Sequence, residues 1–218
     1  MISDAFEYTR EALVGRWMRW VLLTIVSIIP IVNFISFGYA MEIYRGTKPA
    51  PELENWGTLF VDGLKLFIVM LIYAIPVLVI IAIFGGIGIL SLIASGNANA
   101  DPTLIAGAIA SLMGGLMLAL IVALIISIFA AIGTIRFTRI GSIGEAFNFS
   151  AILETIRSIG WVDYIIALVI LFIAIAVVQF VVGLLSIIPI IGWIISFFIA
   201  SALVIFQARY MTLIYDSA

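Results

Sequence analysis

Few residues in this chain could do chemistry, and their types set narrow limits. Its 218 residues include no cysteine and no histidine. That removes thiolate nucleophiles, disulfides, His or Cys haem ligands and most zinc donors. It also removes the commonest general base near neutral pH. Acid–base work would fall to Asp, Glu, Lys, Ser, Thr or Tyr. Three short-range clusters qualify: Asp62 with Lys65, Glu154 with Arg157, and Glu52 with Glu54. Each fits a solvated helix face better than an acid–base pair. Intramembrane aspartyl chemistry needs two facing aspartates inside helices, and no apolar run holds such a pair. The expectation is a chain that is not an enzyme, with no catalytic residue, no cofactor and no metal site.

The remaining polar groups are weak signals. Gln179 is the one strongly polar side chain deep in a long apolar run; it is an intramembrane polar candidate, more often interhelical glue than a functional group. The tip Gly96–Pro102 offers amide oxygens but a single carboxylate, Asp101, too few for calcium. Phe84-Gly85-Gly86-Ile87-Gly88 lacks the strand and the Lys-Ser/Thr of a phosphate loop, so it reads as a hinge or close-packing site. Asn148-Phe149-Ser150 matches a glycosylation sequon. The sharpest pattern is a ridge of small residues at steps of four: Gly107, Ser111, Gly115, Ala119, Ala123, Ser127 and Ala131. Lipid does not drive helices together, so close backbone packing across small residues must. The ridge reads first as a helix-packing face within one subunit, then as a homo-oligomer contact, then as a lipid or substrate groove.

The elements that carry these groups are set by composition. Hydrophobic residues make up 65% of the chain and charged residues 10%, with a mean hydropathy of +1.35. Soluble domains average roughly 45–50% apolar and about 25% charged, so the partner is the lipid bilayer, and the whole chain, 1–218, reads as a single integral membrane domain. A net charge of −2 from 10 basic and 12 acidic residues argues against nucleic acid. The first residues, Met1 to Glu7, carry Asp4 and Glu7 and no basic side chain, which is not a signal-peptide pattern.

Four apolar runs stand out, about Trp20–Met41, Leu66–Ala94, Thr103–Ile135 and Ile165–Phe206, against the roughly 20 residues one span requires. The fourth breaks at Ile187-Ile188-Pro189-Ile190-Ile191-Gly192, giving helices of about Val162–Ser186 and Ile190–Arg209. The first contains nearly the same string, Ile28-Ile29-Pro30-Ile31-Val32-Asn33, and reads as a hairpin with its tip at Pro30–Asn33. The fold class is all-α: a polytopic membrane helix bundle of three helical hairpins, about 12–44, 64–135 and 162–209. The alternative is five spans, with Pro30 kinking a single first span. Charge placement favours the hairpin, because it puts all ten basic residues on one face, the cytoplasmic one by the positive-inside rule. Both termini then lie inside, at the cell membrane. One difficulty is length: Ile31–Tyr44 is 14 residues, about 21 Å, against a core of roughly 30 Å. The first hairpin either dips into the bilayer or thins it. Arg16 and Arg19 are expected to snorkel beside Trp17 and Trp20.

Two connectors are the most water-facing parts. In Pro51–Leu64 the residues Leu53, Trp56, Phe60 and Leu64 recur at helical spacing, with Pro51, Glu52 and Glu54 as a helix start. The second opens on Ser142-Ile143-Gly144-Glu145, a capping-box spacing, and continues with Phe149, Ile152, Ile156 and Ile159 on one side. Both read as amphipathic helices on the membrane surface. A weak repeat supports the hairpin count: each second arm ends at an arginine, Arg45, Arg136 and Arg209, and Arg45-Gly46-Thr47-Lys48 parallels Arg136-Phe137-Thr138-Arg139.

Together, Tyr44-Arg45-Gly46-Thr47, the stretch Pro51–Gly63 with its Glu-Leu-Glu-Asn-Trp core, Gly144-Glu145-Ala146-Phe147 and Ile188–Gly192 resemble a family of prokaryotic, mainly archaeal, multi-pass membrane proteins catalogued as domain of unknown function 4013. The resemblance implies localisation and origin and carries no functional residue. Two functions stay open: a non-catalytic membrane scaffold whose cytoplasmic connectors bind a protein partner, or a passive transporter or lipid-handling protein with a groove between helices.

Overall fold

A computed structural model describes residues 1–95, 102–188 and 190–218. The tip 96–101 and Pro189, on which two of the sequence readings rest, lie outside the described residues. The chain is a polytopic helical bundle, 85% helix, with no strand among the described residues. It divides into two compact units, Met1–Val69 with Ala131–Ala218, and Met70–Ala130. Two long helices, α4 (Trp56–Ser95) and α5 (Pro102–Ile140), contribute a stretch to each.

In the first unit the chain opens on an amphipathic helix, α1 (Ile2–Leu13), which buries Ala5, Tyr8, Ala12 and Leu13 at helical spacing. Gly15, at φ +80°, permits the left-handed corner that separates α1 from α2 (Trp17–Ile28). The chain then folds back into α3 (Phe34–Tyr44). Ser27 and Ser36 hydroxyls meet across this hairpin at 2.9 Å, so the first run is two arms and not one kinked span. Arms of 12 and 11 residues are about 18 and 17 Å long, shorter than the roughly 30 Å hydrocarbon core. Among the described residues four helices are long and apolar enough to cross a membrane: α4, α5, α7 (Trp161–Leu185) and α8 (Ile191–Tyr215).

Both Pro-containing breaks use the same backbone device. Ile31 and Ile190 each sit at positive φ, +73° and +64°, a rare conformation for a β-branched residue. At the second turn the following glycine is obligatory, since a Cβ on Gly192 would lie 1.9 Å from the Leu185 carbonyl oxygen.

Helix α8 is the axis of this unit, packing on α1, α2, α3 and α7. Its contacts include Trp20 Nε1 donating to Phe198 O at 2.9 Å, Thr24 and Ser201 hydroxyls 3.0 Å apart, and Thr212 Oγ1 donating to Ile43 O at 3.1 Å. The helix runs to Tyr215 rather than closing at Arg209, because Tyr210, Thr212 and Ile214 are buried and packing extends it.

The two connectors differ from the symmetric expectation. Residues 51–55 are not helical, and 56–64 are the first turns of α4 itself; Asn55 takes φ +51° and sets the corner. There is therefore no separate first connector helix. The second is separate: a 3-10 turn (Ile143–Phe147) leads into α6 (Phe149–Ile159), with Ile152 and Ile156 buried. The capping box does not form. Ser142 makes no side-chain cap, Glu145 turns to Arg136, and Asn148 caps α6 by accepting from Ala151 N at 3.3 Å.

In the second unit, the small residues of α5 admit α4. Ser111 Oγ donates to Phe84 O at 3.0 Å. A Cβ on Gly115 would sit 2.2 Å from Phe84 Cβ, and one on Gly88 would sit 2.6 Å from Leu112 Cγ.

Candidate functional site

The chemistry-bearing side chains gather in the first unit, which holds all ten basic residues. At the start of α2, Arg16 Nη1 donates to Glu52 Oε1 at 2.5 Å, and Arg19 Nη2 pairs with Glu52 Oε2. Arg19 also donates from Nη1 to Ala12 O at 3.2 Å, which ties α2 back onto α1. The snorkelling expected of Arg19 does not occur: the residue is 5% exposed. Folding α1 over the start of α2 encloses the guanidinium before it can reach water. The Arg19 hydrogen bond, with the Arg16 and Arg19 charges adding to it, holds the Glu52 carboxyl below the ordinary carboxylate range.

The second group is positioned by glycine. A Cβ on Gly63 of α4 would lie 1.7 Å from Phe34 O, and one on Gly38 of α3 would lie 1.9 Å from Leu59 O, so the two backbones touch. That crossing brings Arg45, at the end of α3, to Asp62: Arg45 Nη2 donates to Asp62 Oδ2 at 2.6 Å, and Lys65 Nζ to Oδ1 at 3.2 Å. Phe34 fills the same crossing between Phe60 and Phe67, with ring centroids 5.7 and 5.2 Å away.

The third group closes the chain ends. Arg136 pairs with Glu145 at 2.7 Å, and that hydrogen bond, seconded by Asn148, keeps Glu145 below the usual carboxylate range. Arg139 donates from Nη2 to Asp216 Oδ1 at 2.7 Å and from Nε to Tyr44 O at 2.6 Å. Arg209, expected at the water boundary, is 2% exposed. Its guanidinium lies 4.9 Å from the Tyr8 ring centroid, a cation–π contact, with Nε and Nη1 lacking a hydrogen-bond partner. Tyr8 donates its hydroxyl to Thr47 O at 3.0 Å, and burial pushes its pKa up to about 12.

Chemically, these groups are arranged as clamps. A carboxylate held by a guanidinium has a lowered pKa and is a poor proton acceptor at neutral pH. Among the described residues no three His, Cys, Asp or Glu side chains come together as a metal site.

Of the residues singled out from the sequence, Asp62 and Lys65 are an ion pair, and Glu52 separates from Glu54 to take both arginines. Glu154 and Arg157 form no bridge with each other among the described residues. The ridge splits. Gly115 and Ala119 are buried, Ser111, Ala123 and Ala131 are half-buried, and Gly107 and Ser127 are exposed. Gln179 is exposed on α7. Sequence reasoning missed the Gly38–Gly63 crossing and the burial of Arg19 and Arg209. An isolated glycine inside a helical pattern was the available signal for the first; no local signal marks the other two.

A family described as Protein of unknown function (DUF4013) matches residues 22–187. No curated protein and no solved structure matches the chain.

Proposed function

We propose, from the premise that this chain belongs to the DUF4013 family, that it is a non-catalytic membrane scaffold with both termini and both connectors in the cytoplasm. The observation that carries the reading is the ion-pair platform. Glu52, Asp62, Glu145 and Asp216 are each held by at least one arginine. These clamps join the start of α2 to the segment before α4, α3 to α4, α5 to the turn after it, and α5 to the C-terminal end. Asp62, Glu145 and Asp216, which could move protons, are instead occupied in holding segments together, which suits a rigid presenting surface. In the second unit, Ile83, Leu116, Leu120 and Leu124 are exposed, a lateral apolar surface suited to a partner within the bilayer. For a second copy, the ridge leaves Gly107 and Ser127 open.

A second reading, lipid handling, is favoured by an apolar cavity of about 420 Å³ lined by Ile2, Phe6, Trp20, Ala202, Leu203 and Phe206. Reconstitution separates the two. The scaffold reading expects no solute flux or lipid scrambling above protein-free vesicles, and a discrete photo-crosslinked protein adduct from Leu120 in cells. Scrambling that is abolished by Ala202→Trp overturns it in favour of lipid handling. Orientation is tested in the Cys-free chain by single cysteines at Ser3, Lys48, Asn99, Ser142 and Ser217 with an impermeant thiol reagent. Only Asn99→Cys is expected to react from outside, and external labelling of Ser3→Cys refutes the arrangement.

A further inference from the structure

The start of α2 combines features that a rigid clamp does not require. The helix begins at Trp17 without an acidic residue in its first turn and without a side-chain cap. Its first N–H groups therefore have no side-chain cap and carry a partial positive charge, the ordinary setting for an anion. Two guanidiniums stand beside it, one helical turn apart. Arg19 is enclosed, and its Nε has no hydrogen-bond partner. Both arginines line an open cavity of about 500 Å³ together with Gly15, Trp17, Glu52 and Glu54. That volume falls within the roughly 300–1,000 Å³ of small-molecule sites.

We propose that this cavity receives the phosphate of a lipid headgroup, and that the Glu52 carboxylate holds the anion position when no lipid is bound. Glu52 is suited to that part. Its side chain is 59% exposed, and it sits on a non-helical segment, so it can withdraw without unfolding an element. The two non-bridging oxygens of a phosphodiester match those of the carboxylate, so they can take the same two guanidiniums, one on each oxygen. The rim indicates a lipid as the carrier. Trp17 is 61% and Met18 is 72% exposed, and Trp17 stacks on Trp20 with centroids 5.6 Å apart. Exposed tryptophan beside arginine is the composition of the membrane–water boundary, where phosphates are concentrated. Glu54, in the same cavity, disfavours a second negative charge, so a monoanionic phosphodiester fits better than a phosphomonoester. The inference rests on membrane embedding and not on the scaffold reading.

The test is native mass spectrometry of the full chain in detergent, titrated with phosphatidylglycerol. Diacylglycerol serves as the phosphate-free lipid, and inorganic phosphate and glycerol phosphate as soluble competitors. One saturable phosphatidylglycerol is expected, with no comparable diacylglycerol adduct and no displacement by either soluble anion at equal concentration. Glu52→Gln removes the competing carboxylate charge from both guanidiniums and should tighten binding about tenfold, the scale of one charged hydrogen bond. Arg16→Gln should weaken it about tenfold on the same scale, while the charge-matched Glu7→Gln leaves it unchanged. A gain in Glu52→Gln cannot come from misfolding. Unchanged affinity in Glu52→Gln, equal retention of diacylglycerol, or equal displacement by inorganic phosphate would each overturn the proposal.

Discussion

Replacing Gly63 by alanine tests whether the α3–α4 crossing is set by backbone contact. The added carbon would lie 1.7 Å from Phe34 O and 2.9 Å from Gly38 N, where real Cβ atoms essentially never come closer than 3.0 Å. The helices must part by about 1.3 Å to clear the oxygen. The obstructing atoms are backbone, with no flexible side chain to swing aside, so the cost belongs at the upper end of overpacking, about 3 kcal/mol. Alanine recovers about 1 kcal/mol of helix propensity over glycine, which leaves a net loss of about 2 kcal/mol. For a chain of this size that lowers the unfolding temperature by about 4–8 °C. The assay is thermal unfolding in detergent followed by tryptophan fluorescence. Gly57→Ala is the internal control, because nothing lies within 4 Å of its added carbon, and it should unfold at the parent temperature or above. Gly38→Ala should fall with Gly63→Ala. If Gly63→Ala melts within a degree of the parent, the two backbones are not in contact and the placement of Arg45 against Asp62 needs another cause.

Three further outcomes follow from the same geometry. Ile31→Gly and Ile190→Gly relieve positive φ at exposed positions; a left-handed residue costs about 1–2 kcal/mol and glycine gives back part of that in the unfolded chain, so the double variant should melt about 2–4 °C higher. Asp62→Asn leaves the Arg45 charge without a carboxylate; as Arg45 is partly exposed, the loss should be about 1–2 kcal/mol, and the double variant with Arg45→Gln should recover part of it in a mutant cycle. Glu52 and Glu145 have lowered folded pKa values, so their stabilisation is complete above the ordinary glutamate value and is lost as pH falls through the folded one. Unfolding temperature should therefore drop on acidification below about pH 4.5, and the drop should be shallower in Glu52→Gln.

Much of the architecture was legible because it is written in local pattern. Apolar runs long enough to span, and the paired Ile-Pro-Ile strings, fix where helices form and where they stop, since both depend on residues within a few positions of one another. The hairpin at Pro30 could be read this way, and so could the gathering of all ten basic residues in one set of segments. The first connector could not. Leu53, Trp56, Phe60 and Leu64 are spaced for a helix, but the Asn55 corner delays its start to Trp56 and the rest merges with α4.

The chain's own sequence determined that it is helical, membrane-embedded and folded back at Pro30, because hydrophobicity and turn chemistry act at short range. Tertiary structure alone decided which cations are enclosed. Arg16 and Arg19 look alike in sequence, yet only Arg19 is buried, because α1 closes over it and Glu52, 33 positions later, reaches it. Arg209 is sealed against Tyr8, some 200 residues earlier in the chain. Burial is a property of segments meeting in space, and no window along the sequence contains both partners.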